Sequence, residues 1–219
     1  MVTTSSHLVR HLTAAFALCA LSAAAAHAQA RGLPLFFDPT YSYETRAGLD
    51  VGNGGELGGF VWALSASRVF PVGNCPKLAV SAAAGLWHPP GEEPPDGFNG
   101  GLTASYLVNP CPTPLSSPNP TVRAVIGGGW TSVDGRTVVN MPVGGEIGYM
   151  FETAVARVEP WATLRAHYLE PTGPDGSSTW RAGLSLGLNV GVSSTAGGRI
   201  AVDFGSGRTG VGGGLSFWW

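Results

Sequence analysis

Charge, cysteine and long apolar runs are all scarce in this chain, and each scarcity removes a class of protein. Only 12% of the 219 residues are charged, about half the share of an ordinary soluble domain. Twelve basic residues against fourteen acidic ones give a net charge of −2, so there is no basic stripe for nucleic acid and no field to steer a partner. Past residue 30 no run reaches eighteen consecutive apolar residues, so no spanning helix is expected there. Three cysteines are too few for a disulfide scaffold, and without neighbouring His they make no zinc site. Nucleotide loops and other cofactor motifs are also missing, so neither a cofactor nor a metal is expected.

What is present is glycine, proline and apolar bulk. Thirty-three glycines and seventeen prolines argue against helices, yet the mean hydropathy is +0.15. Such a chain must satisfy its backbone polar groups in a sheet, and in lipid that sheet must close. Residues 1–30 read as a secretory signal peptide. His7, Arg10 and His11 precede an apolar run from Leu12 to Ala26, followed by the small-residue sites Ala26-His27-Ala28 and Ala28-Gln29-Ala30. Residues 31–40 are expected to form a periplasmic lead-in, and residues 41–219 a single barrel domain.

Turn residues divide that domain into ten strand-like segments, near 41–52, 57–70, 77–88, 98–109, 121–132, 138–151, 155–169, 179–192, 199–205 and 209–219. Splitting or fusing the weak ninth segment would make eight or twelve. The eighth shows the period best: Trp180, Ala182, Leu184, Leu186, Leu188 and Val190 share one face, and Arg181, Gly183, Ser185, Gly187 and Asn189 the other. A soluble sandwich would alternate too, but with its bulk inside and its charges outside. Here the bulky face is the apolar one and the polar face is full of glycine.

The ionisable residues of the segments, from Glu44, Arg46 and Asp50 to Arg199 and Asp203, share the polar parity, seven basic to five acidic. Arg68 alone departs from it, at a strand end where its head can snorkel. If the first strand rises from the periplasm, Phe60, Trp62, Phe98, Trp130, Tyr168, Trp180 and Phe204 form an outer aromatic girdle. Tyr43, Phe70, Tyr106, Tyr149, Phe151, Phe217 and Trp219 then form an inner one.

The last segment, Val211 to Trp219, sets large apolar groups on odd positions and ends in an aromatic residue. It resembles the terminal strand of bacterial outer-membrane β-barrels, which the insertion machinery reads. The resemblance implies a closed antiparallel barrel in the outer membrane, with Leu215, Phe217 and Trp219 as the insertion signal. It also implies membrane lipid, lipopolysaccharide, periplasmic chaperones and the barrel-assembly machinery as partners.

Three features carry candidate chemistry. Cys75 and Cys111 fall in periplasmic turns, where an even pair in an oxidising compartment favours a disulfide. Inside the barrel, Arg157, Glu159, Trp161, Thr163, Arg165 and His167 point inward from strand seven. Glu146 is expected across from Glu159 or Trp161, and Arg181 across from His167. With Arg123, these residues make either a plug of ion pairs and one indole or a constriction with anion preference.

The third feature is the outer rim, where His88 and His167 lie near Glu92, Glu93, Asp96, Glu170 and Asp175. A ten-stranded barrel with such a rim resembles outer-membrane proteases of the omptin type. Those enzymes carry paired carboxylates and a His–Asp couple on long extensions, whereas these loops are short. No Ser is locally coupled to either His, as a lipid A deacylase would need. Gly183-Leu184-Ser185-Leu186-Gly187 matches the G-x-S-x-G of serine hydrolases, but lies inside an alternating strand with no strand-to-helix turn to expose the Ser. No catalytic residue is assigned. The expected role is non-catalytic, in envelope structure or surface interaction. A narrow channel for small hydrophilic solutes, anionic ones included, is the alternative and a hydrolase the distant one. The acidic rim reads as a solvated edge or a divalent-ion site shared with lipopolysaccharide.

Overall fold

The computed structural model describes residues 45–53, 58–73, 75–91, 96–108, 120–133, 136–153, 155–172, 177–205 and 209–219. They form β1 (Thr45–Gly52), β2 (Phe60–Val72), β3 (Cys75–His88), β4 (Gly97–Leu107), β5 (Thr121–Val133), β6 (Arg136–Gly148), β7 (Phe151–Glu152), β8 (Arg157–Thr172), β9 (Thr179–Gly191), β10 (Ala196–Phe204) and β11 (Thr209–Trp218). Ten of these span the barrel. The two-residue β7 only extends the turn into β8, where Thr153 caps the bend through its amide and hydroxyl on Ala156 O.

Each spanning strand pairs antiparallel with its neighbours, and β1 meets β11 to close the sheet. The pairing also sets the barrel's size. Hydrogen-bonded partners followed from Asp50 through β2 arrive on β8 at Pro171, and followed through β11 they arrive at Glu159. That stagger of twelve residues over ten strands corresponds to a tilt of about 40° and a backbone radius of about 10 Å. Long side chains from the wall of so narrow a cylinder reach most of the way to its axis.

The outer face is apolar. Leu64, Phe98, Ile126, Leu164, Trp180 and Ile200 are all exposed there. Outward-facing aromatics gather at both ends. Tyr168 packs on Trp180 at 5.3 Å between centroids at one end, and Tyr149 on Phe151 at 4.6 Å at the other. Tyr43 lies outside the described residues. Greasy outside and polar within, this closed antiparallel barrel has the architecture of a small outer-membrane β-barrel.

Most boundaries shift by one to three residues from the sequence expectation, and two of the shifts change the pairing. The ninth spanning strand, β10, starts at Ala196 rather than 199, because Gly197 and Gly198 pair with Gly191 and Val190 instead of turning. β8 runs on to Thr172, held along its length by β6.

Candidate functional site

The interior is built from side chains that the strand period turns inward, and their chemistry concentrates on β8, β9, β10 and β1. The main node is Arg165, only 4% exposed. Its Nη2 pairs with Asp203 Oδ1 on β10 at 2.5 Å, its Nη1 donates to Ser185 Oγ on β9, and its Nε donates to His167 Nε2 at 2.5 Å. Ser185 donates its own proton to Asp203 at 2.8 Å. Since His167 Nε2 accepts from Arg165, its Nδ1 is the nitrogen that donates to Asn140 Oδ1 on β6, at 3.1 Å. Four strands are thereby tied through one guanidinium.

A second node crosses the closure seam. Arg199 on β10 donates through Nε and Nη2 to the two oxygens of Asp50 on β1, at 2.8 and 2.6 Å, a bidentate fork. Nη2 also donates to Ser65 Oγ on β2, and Ser65 donates to Asp50. To reach β1 the guanidinium must pass over β11, which is why that strand carries Gly214 between the two. A Cβ on Gly214 would stand 2.1 Å from Asp50 Oδ1, and one on Gly48 would stand 2.9 Å from Arg199 Nη2.

Towards the end that holds the chain termini, Trp161 lies against Gly187, where a Cβ would meet the indole at 2.1 Å. Its Nε1 donates to Asn189 Oδ1, and Asn189 Nδ2 donates to Glu159 Oε2, both at 3.3 Å. Arg123, 1% exposed, donates to the Ser105 hydroxyl at 2.9 Å. Glu146 does not stand opposite Glu159 or Trp161, as simple hairpin geometry predicts. It stands opposite Thr163 on β8 and Arg123 on β5, a displacement of one inward position set by the hairpin turn, which closes between Thr153 and Ala156. Arg181 does stand opposite His167.

Below these layers the lumen widens into a cavity of about 400 Å³. Arg46, Arg157, Glu159, Asn189, Arg199 and Trp218 are among the residues that line it. Arg46 stacks over Trp218 at 5.4 Å, and Arg157 pairs with Glu152 at 3.6 Å.

The structure therefore brings Arg157, Glu159, Trp161, Arg165 and His167 inward on β8 and places Arg123, Glu146 and Arg181 on neighbouring walls. Sequence reasoning gives no role to Asp50, Ser65, Asn140, Asn189, Arg199 or Asp203. Their inward parity is visible in the sequence, but their partners lie up to 149 residues away.

Ser185 sits within an unbroken strand, fully buried, with its hydroxyl engaged by Arg165 and Asp203. Among the described residues no group of three or more His, Cys, Asp or Glu is placed to hold a metal. At the rim His88 Nδ1 meets Asp96 Oδ1 at 2.8 Å, both exposed. Glu92, Glu93 and Asp175 lie outside the described residues. So does Cys111. Leu215, Phe217 and Trp219 face outward on and beyond β11 and are exposed.

No protein-family model and no curated protein sequence matches the chain. Among solved structures it is similar to the N-terminal β-barrel domain of OprF from Pseudomonas aeruginosa. Identity is 10%, over 81% of this chain and 98% of that one, with a TM-score of 0.38. It is also similar to the KdgM porin, at 11% identity over 80% and 98% of the two chains, again with a TM-score of 0.38. A third is OmpT, an outer membrane protein of Vibrio cholerae, at 12% identity over 73% of this chain and 56% of that one, with a TM-score of 0.35.

Proposed function

We propose that this chain is an integral outer-membrane protein, exported with a cleaved signal peptide, whose barrel is closed by its own side chains. Its role is non-catalytic, in envelope structure or surface interaction. The observation that carries the reading is the pair of nodes around Arg165 and Arg199. Both guanidiniums reach over a neighbouring strand on the inner wall, and their counter-ions are held in place by hydroxyls of Ser185 and Ser65. In a cylinder of about 10 Å backbone radius, two such nodes fill much of the lumen on the β8–β1 side. Fully hydrogen-bonded charges of this kind rigidify a small barrel and tie its strands together.

A narrow channel for small hydrophilic solutes is the second reading. It is favoured by the cavity at the termini end and by the small inward residues of β3 and β4, such as Ala83 and Gly101. Arg123, Arg157, Arg165 and Arg181 would then set anion preference.

Planar-bilayer recording of the refolded wild-type chain separates the two. Silence across voltages is expected. Discrete, anion-selective steps would replace the closed-barrel reading with the channel.

A further inference from the structure

Among the described residues, one charged side chain faces lipid between the two aromatic girdles: Arg68 on β2. Its neighbours on that face, Leu64 and Phe70, are exposed apolar residues. The side chain has no carboxylate partner and no hydrogen bond among the described residues. Its contact is with the face of Phe70, with Cζ 5.7 Å from the ring centroid. Phe70 belongs to the girdle at the termini end and lies two residues further along the strand, about 5 Å deeper towards that interface. The guanidinium is therefore aimed out of the hydrocarbon, along an aromatic face that tolerates a cation. Directly opposite, across the β1–β2 pair, stands Thr45, on the same lipid-facing side.

We propose that Arg68, with the Thr45 hydroxyl beside it, binds the phosphate of a phospholipid headgroup in the leaflet at the termini end. This is the periplasmic leaflet in the orientation proposed above, and the inference rests on that reading. A guanidinium so close to hydrocarbon, with no carboxylate partner among the described residues, needs an anion at headgroup depth, and its planar fork matches two phosphate oxygens. The site lies next to the β1–β11 seam, so a lipid held there fixes the depth of the barrel where it closes.

The test is native mass spectrometry of the refolded full chain, released from micelles containing either phosphatidylglycerol or diacylglycerol, which lacks the phosphate. Arg68→Gln should lower retention of bound phosphatidylglycerol about fivefold, the scale of one exposed charge pair. It should leave diacylglycerol retention unchanged, and Arg68→Lys should fall between. Equal phosphatidylglycerol retention by wild type and Arg68→Gln, in chains that both show a heat-modifiable gel band, overturns the phosphate site and leaves the barrel standing. A wild-type chain without that band removes the membrane reading and the lipid site together.

Discussion

The two halves of the lumen share one backbone geometry and almost nothing else. On β8, β9, β10 and β1 the inward positions carry Glu159, Trp161, Arg165, His167, Arg181, Arg199, Asp203 and Asp50. On β2 to β5 they carry mainly Ala63, Ser65, Ala79, Ser81, Ala83, Gly101 and Thr103, with Trp87 the large exception near the end of β3 and Arg123 the one charge whose side chain is described. The difference follows from the barrel's radius. Long side chains from one wall fill the lumen towards the axis, and the facing wall carries shorter ones over most of its length. Glycine marks the route of each long side chain, as Gly187 does beneath Trp161 and Gly214 beneath the Arg199–Asp50 fork. One half supplies the plug and the other accommodates it.

The comparison breaks most visibly if charges in the crowded half can be removed without penalty. Asp50→Ala leaves Arg199 buried without its fork and should cost about 3–5 kcal/mol in urea unfolding from lipid vesicles. Thr103→Ala, in the small-residue half, should cost about 1 kcal/mol or less. Similar losses for the two would mean that the nodes hold nothing together.

A smaller effect is expected from filling a glycine. Gly187→Ala pushes a methyl into the Trp161 ring and should cost about 1–3 kcal/mol. In a Trp161→Ala background the same substitution should cost less, the remainder being the approach to Ile200 O at 2.8 Å, and a double-mutant cycle reads that coupling directly. Gly198→Ala, whose methyl would meet nothing nearer than 3.7 Å, should change stability by a few tenths of a kcal/mol, roughly the scale of an unobstructed surface position. If Gly187→Ala is as mild as Gly198→Ala, the indole does not lie where the structure places it.

Much of this fold is legible in the sequence. A period of two, inward charges and two aromatic girdles each follow from single strands, so closure and parity can be read residue by residue. The nodes cannot. Arg199 meets Asp50 across an intervening strand of glycines, and nothing local to either residue names the other. Hairpin counting sets Glu146 one inward position away from its true partner because register depends on where the turn closes, between Thr153 and Ala156. Pro171-Thr172 look like a turn rather than the paired strand they form with β6. Gly197-Gly198 mislead in the same way at the start of β10. A terminal strand bare on one face is recognisable as a barrel signature, but the reason for its Gly214, the passage of Arg199, emerges only from the neighbouring strands.

The smallest expected effect lies outside the lumen. We propose that Cys75 and Cys111 form a disulfide at the termini end. Alkylation under denaturing, non-reducing conditions should then find no free thiol in the mature chain, and two after reduction. Two free thiols at the outset would leave that rim unbridged and the plugged lumen unaffected.

The central claim, that side chains of the β8–β1 half close the lumen, is tested most directly by single-channel conductance of variants from each half in planar bilayers. After a heat-modifiable band confirms folding, Trp161→Ala and Arg165→Ala should conduct where wild type is silent, and Thr103→Ala should stay silent. Steady conductance in the wild type that none of the three substitutions changes would contradict it.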